Sequence, residues 1–299
     1  MTLRLTIIAL LLTTLTAGAL TPQEMVMGAA YRVRGAAVSA WTPASLSPSA
    51  WYDSNDTTYL TITPSNTVSA WADKSGNGRT LTQTTGSRQP SVTNNALWFT
   101  AARSTCLFTT NTFLTAATTN ASGIAIFYVA KYGNGSAEMT PWCESLTSQN
   151  AISFRSSEGT TGNLRTLLAH TAATILGASY SDNNIINSSN NFVSRQYVYS
   201  NTPTNMTSTN AVNGSIVLSV VNKAYSPSDL FTYTRDRFTI GAWIRSSIVG
   251  PKDGPISEWI AFIPAPSPTD QQKVEGWLAW RYGANTYLPT NHPYYGAAP

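Results

Sequence analysis

The 299-residue sequence predicts an all-β sandwich or jelly roll of antiparallel strands with one helix near its C-terminus. Short apolar runs of period two recur between stretches rich in Asn, Gly, Ser and Thr, the pattern of half-buried strands joined by tight turns. Charged residues make up 11% of the chain, against roughly 25% in typical soluble proteins, so neutral polar side chains must cover its surface. Only one segment combines helical spacing with end signals, and no repeat of fixed period is visible.

Residues 1–19, MTLRLTIIALLLTTLTAGA, carry one positive side chain, an apolar run and a small-residue ending, Ala17-Gly18-Ala19. That is the pattern of an export signal, and the run is too short for a membrane span. If the segment is retained, Leu5, Ile7, Ile8, Leu10, Leu11 and Leu12 need a protein surface to cover them. Residues 1–40 are therefore read as an apolar attachment segment and linker, with a cleaved signal as the alternative. Residues 41–299 are read as one sandwich domain.

Within that domain the pattern predicts strands at Val68–Trp71, Ala96–Thr100, Ile124–Ala130, Ile152–Arg155, Arg195–Tyr199, Ser215–Val221, Phe238–Ile244 and Pro255–Ile263. The helix is expected in SPTDQQKVEGWLAWRYG. Ser267 is placed to cap it, Pro268 to open it, Asp270 to complete a capping box and Gly283 to close it. Val274, Trp277, Leu278 and Arg281 fall on one face.

The formal charge is +4, but the 18 Lys and Arg are scattered singly and form no stripe that could track a phosphate backbone, so no nucleic-acid partner is expected. Cys106 and Cys143 lack the companions of a zinc pattern and are read as buried thiols or a disulfide. The two histidines, His170 and His292, lie in no Ser-His-Asp or Cys-His signature.

The segments WTPASLSPSAWYDSND, VSAWADKSGNGRTLTQ, RQPSV, GPISEWIAFIPAPSPTDQQKVEGWLAWRYG and LPTNHPYYGAAP resemble a family of bacteriophage virion proteins. The resemblance covers about residues 41–299 and is loose from about 105 to 235. It implies a concanavalin A-like, laminin-G-like jelly roll in a tail-fibre, tail-associated or capsid-surface protein facing host glycans. By the same resemblance, residues 1–40 would dock on other virion proteins, and the chain would be a homo-oligomer, with a trimer the form common among such projections.

The loop WADKSGNGRTLTQ is Gly-rich, with an acid at its head. A phosphate loop needs a helix to follow, and here a strand-like run follows. Two readings stand: a turn in which Asp73 binds backbone amides, and a calcium site using Asp73, Asn77 and carbonyl oxygens. Catalytic residues are not expected, because the fourteen acids include no Glu-x-Asp-x-x-Glu spacing of the kind sandwich glycosidases use. Asp53 and Asp56 are read as turn residues. Glu258 alternates with Ile256 and Ile260 and so needs a buried partner, Arg281 or Arg245.

Among the nine Trp and fourteen Tyr, Trp71, Trp98, Trp243, Trp259 and Trp277 fall in strand or helix patterns and are expected in the core. Tyr132, Trp142, Tyr180 and Tyr225 are read as loop aromatics able to stack on a sugar. Three functions follow as expectations. The first is a non-enzymatic virion protein that binds host polysaccharide. The others are a secreted lectin or hydrolase and a purely structural decoration protein.

Overall fold

The computed structural model describes residues 41–299 other than 115–122, 134–138, 149–152, 159–163, 172–173, 181–189, 203–204, 225–234 and 245–246. The attachment residues Leu5, Ile7, Ile8, Leu10, Leu11 and Leu12 lie outside the described residues, as do Tyr225 and Arg245.

The strands in chain order are β1 (Ala50–Asp53), β2 (Leu60–Ile62), β3 (Val68–Trp71), β4 (Leu81–Thr82), β5 (Ser91–Thr93), β6 (Ala96–Phe99) and β7 (Leu107–Thr109). There follow β8 (Ile124–Ala130), β9 (Trp142–Ser145), β10 (Ser153–Glu158), β11 (Leu164–Thr171), β12 (Thr174–Tyr180), β13 (Phe192–Thr202) and β14 (Asn205–Val212). The series ends with β15 (Ser215–Ala224), β16 (Arg237–Ile240), β17 (Trp243–Ile244), β18 (Ile248–Val249), β19 (Gly254–Phe262) and one helix, α1 (Pro268–Arg281).

Two antiparallel sheets form the sandwich. One runs β15-β14-β13-β8-β19-β6-β5, with β1 added beside β19. The other runs β12-β11-β10-β9-β16-β7-β4-β3-β2, and β17 and β18 form a separate hairpin. The architecture is the jelly-roll sandwich with one C-terminal helix that the sequence predicts.

Each sheet turns one face inward, and the core between them is aromatic. Trp259 of β19 packs on Phe238 of β16 with ring centroids 4.9 Å apart, on Tyr52 at 5.9 Å and on Trp142 at 6.2 Å. A chain of hydrogen bonds also crosses the interface. Trp142 Nε1 donates to Gln196 Oε1 at 2.9 Å, Gln196 Nε2 to Ser156 Oγ at 2.8 Å, and Ser156 Oγ lies 3.2 Å from the Tyr128 hydroxyl. These partners satisfy polar groups that would otherwise be buried without one.

The outer face of the first sheet buries a second cluster. Trp51, Phe127, Val129, Ile260 and Phe262 meet Val274, Trp277 and Leu278 of α1. The helix has the expected boundaries: Ser267 Oγ accepts from the Asp270 amide at 3.2 Å, and Gly283 takes φ 68°. Inside the helix, Gly276 leaves room for the chain's end, since a Cβ there would meet Tyr294 Cβ at 2.5 Å.

Three differences from the sequence reading have physical reasons. The run Phe238–Ile244 is two strands, because Gly241 adopts φ 94° against the Phe99 ring and breaks it. Strand β14 went unread because NMTSTNAV is mostly polar and its Met206, Ala211 and Val212 do not alternate. Trp98 is not in the core. It alternates outward between Leu97 and Phe99 and is 42% exposed.

Replacing Trp259, fully buried at the centre of the aromatic core, with Ala is expected to cost about 3–5 kcal/mol in a denaturant melt. Trp98→Ala should cost about 0.5 kcal/mol or less.

Candidate functional site

The loop after β3 joins two strands in register, with Ala70 opposite Thr82 and Trp71 opposite Leu81. Asp73 closes it. One carboxylate oxygen accepts from the Trp51 and Ser75 amides, both at 3.0 Å, and the other from the Arg79 amide at 3.2 Å. Asn77 Nδ2 donates to the carbonyls of Ser49 at 3.1 Å and Pro48 at 3.3 Å. Calcium at Asp73 and Asn77 would have to displace these amides, so the structure assigns both side chains to turn closure. Among the described residues, no three His, Cys, Asp or Glu side chains gather to hold a metal. Asp73→Ala is expected to destabilise the fold by about 1–3 kcal/mol, while millimolar calcium leaves the wild-type Tm unchanged.

Asp53 is not a turn residue. It ends β1 directly opposite Glu258 of β19, and both carboxylates are completely buried. Arg281 Nη2 donates to the two Asp53 oxygens at 3.0 and 2.8 Å, and Lys74 Nζ bridges Asp53 at 2.9 Å to Asp56 at 3.0 Å. Glu258 accepts from Trp51 Nε1 at 2.6 Å and from the Tyr282 hydroxyl at 2.7 Å, with Arg281 Nε at 3.5 Å.

The partner expected for Glu258 is therefore Arg281, but its face differs from the sequence reading. The register steps from Ile256 opposite Ala130 to Glu258 opposite Val129, a bulge that turns Ile256 into the sandwich and leaves Glu258 with Ile260 on the helix side. Burial, then the Asp53 charge, push Glu258 up to about 8 against the pull of Arg281, Tyr282 and Trp51. One guanidinium serves two carboxylates, and Asp53 takes its better-placed nitrogen.

Glu258 holds its proton more tightly folded than unfolded, where the usual value is 4.5. Its contribution to stability is thus complete below about pH 4.5 and lost as pH rises toward 8, with a slope of at most ~1.4 kcal/mol per unit. Urea melts across this window should show that decline in wild type, and Glu258→Gln should flatten it.

Of the sugar-stacking candidates, the side chains of Trp142 and Tyr132 are among the described residues. Trp142 lies in β9, fully buried in the inter-sheet core, because its ring points inward between the flanking strands. Tyr132 follows β8 and packs half-buried on the same core. Tyr180 ends β12 rather than standing in a loop, and its side chain lies outside the described residues.

The exposed chemistry is elsewhere, on the outward face of the nine-stranded sheet. A cross-strand row runs Arg155, Cys143, Thr239, Phe108, Thr82 through β10, β9, β16, β7 and β4. Arg237 stands on the same face two residues from Thr239. Hairpin β17–β18 roofs one end, with Ser145 Oγ donating to the Ile244 carbonyl at 2.5 Å and Ile244 packing among Cys106, Ala242 and Phe108.

Two guanidinium groups lie on aromatic rings there, Arg155 over Trp243 at 3.9 Å and Arg237 over Phe108 at 4.6 Å. All four side chains are half-buried. Trp243, expected in the core, is thus part of this outer layer. The polar-apolar alternation of Arg237-Phe238-Thr239-Ile240 was the sequence signal for this face. Cys106 and Cys143 are free and buried beneath it, and burial pushes their thiols up to about 11 and about 12.

No family model and no curated protein matches the chain. Among solved structures, it is similar to the Ruminococcus gnavus IT-sialidase CBM40 bound to alpha2,3 sialyllactose, with TM-score 0.44, 12% identity, and 50% of this chain and 80% of that chain covered. A NanB sialidase variant from Streptococcus pneumoniae gives TM-score 0.46 and 14% identity over 58% of this chain and 26% of that one. The binding domain of botulinum neurotoxin DC in complex with SialylT gives 0.47 and 10% over 76% and 52%. No residue of this chain takes a role from these likenesses.

Proposed function

We propose that the chain is a non-enzymatic surface component of a bacteriophage particle, attached through residues 1–40 and presenting its sandwich to host-surface polysaccharide. The observation that carries the adhesive part is the outward face of the nine-stranded sheet, where aromatic rings and guanidinium groups stand half-exposed side by side. Rings of this kind stack on the apolar face of a sugar, and the fork of an arginine donates to its oxygens.

Asp53 and Glu258, paired across β1 and β19, are buried and engaged by Arg281, Lys74, Trp51 and Tyr282, an arrangement suited to holding strands together rather than flanking a glycosidic bond. The setting in a virion rests on the sequence resemblance at both ends of the domain. The apolar run from Leu5 to Leu12 supplies a segment that a neighbouring virion protein would cover.

Deleting residues 2–30 should abolish incorporation into particles while leaving the sandwich folded by circular dichroism. Normal incorporation of the shortened chain would contradict the attachment. A polysaccharide-degradation assay on the full chain is expected to yield no product, and product formation would favour a secreted hydrolase.

A further inference from the structure

We propose that the outward face of the nine-stranded sheet is a subsite for acidic saccharides, with Arg237 and Phe108 at its centre and Arg155 and Trp243 at its flank. This deepens the adhesive reading and rests on it.

Arg237 lies over Phe108, its guanidinium carbon 4.6 Å from the ring centroid, and its buried Nε has no hydrogen-bond partner. Among the described residues, no carboxylate pairs with it. The acid next to it in sequence, Asp236, accepts from the Thr147 amide at 3.0 Å and the Thr147 hydroxyl at 2.5 Å. Glu144, in the neighbouring strand, points inward, where it accepts from the Phe113 and Leu114 amides at 2.7 and 3.0 Å. Exposed Arg88 adds a further positive charge: it and Arg237 both act on the Cys106 thiol, lowering it against burial. The face is therefore positive, with a planar donor left for an incoming group.

Geometry narrows what that group is. Arg237 is half-buried, and the fork of a guanidinium matches a carboxylate with two parallel hydrogen bonds. A neutral sugar would leave Arg237 without a countercharge. The second pair, Arg155 on Trp243, stands one intervening strand away, about 10 Å across the sheet, with Cys143 and Thr239 fully buried between them, so it flanks the subsite and does not share one open groove with it. Exposed Thr82, opposite Phe108, offers a neutral hydrogen bond to the rest of the saccharide. With so few cations in the chain, a long polyphosphate track is not served, whereas one or two acidic sugars are.

The test uses the full chain, with sialyllactose and polygalacturonate oligomers as acidic probes and lactose and malto-oligosaccharides as neutral ones, followed by calorimetric titration. The acidic probes should bind, and more weakly as salt rises. Arg237→Gln should raise Kd at least tenfold, and Phe108→Leu should also weaken binding. Arg237→Lys, which keeps the charge and loses the fork, should fall between wild type and Arg237→Gln, and it serves if the Gln variant fails to fold. Trp98→Ala, on the other sheet, should bind as wild type does. Acidic-probe binding unchanged in the Arg237 and Phe108 variants would overturn this subsite while leaving the adhesive reading standing. Binding of the neutral probes alone would do the same, and binding of no saccharide at all would end both.

Discussion

The charge cluster of Asp53, Glu258, Arg281 and Lys74 is the constraint on which the remaining structure depends. It joins a strand near the start of the domain, β1, to the last strand, β19, and to the end of the helix that follows. Two ionised carboxylates on adjacent strands would repel, and the pair is accommodated because Glu258 keeps its proton up to about pH 8 while Arg281 from α1 and Lys74 from the loop after β3 meet Asp53. The rings around it act with the charges. Lys74 lies over Trp51 at 4.9 Å, and Arg281 over Trp277 at the same distance. Removing one cation would leave an uncompensated buried charge, so the helix, the loop and the terminal strands stand or fall together.

That closure divides the labour of the two sheets. The first sheet is covered on both faces over much of its width, by the aromatic core within and by α1 without. The second is covered on its inner face, and among the described residues the small β17–β18 hairpin roofs part of the other. A face left open on a rigid, hydrogen-bonded ladder is where recognition chemistry can be mounted with precision, and it is there that arginines sit on rings. Hydroxyl-bearing side chains rather than charges solvate the remainder, consistent with the low charged fraction of the sequence.

How much of this was legible in the sequence follows from which physical signal each feature left. The helix was fully legible, because Ser267, Pro268, Asp270 and Gly283 each declare a backbone state that few other residues satisfy. Strands with alternating apolar residues, such as β3 and β8, fell where the pattern put them, while the polar β14 and the two-residue β4 left no pattern to read.

The site was harder. Trp142 looked like a loop residue because Pro141 and a polar run precede it, yet its strand is set by pairing with β10 and β16, partners far along the chain. Trp98 and Trp243 looked like core because they lie in strands, and period two alone does not say which face is wet. Cross-strand rows such as Arg155-Cys143-Thr239-Phe108 exist only once register is known. Glu258 was legible as an acid in need of a partner, with Arg281 and Arg245 as the alternatives, because a carboxylate among apolar neighbours must be met, whereas Asp53 looked like a turn residue because its pairing with β19 lies far along the chain.

If the outward face of the nine-stranded sheet takes an acidic saccharide, a bound probe must shield its strands from solvent. Hydrogen exchange followed by mass spectrometry, on the full chain with and without saturating polygalacturonate oligomers, tests it most directly. The account predicts slower exchange in peptides covering Leu107–Thr109, Trp142–Ser145 and Arg237–Ile244, with the α1 peptides unchanged. Protection confined to α1 or to the loop around Asp73, with that face unaffected, would contradict it.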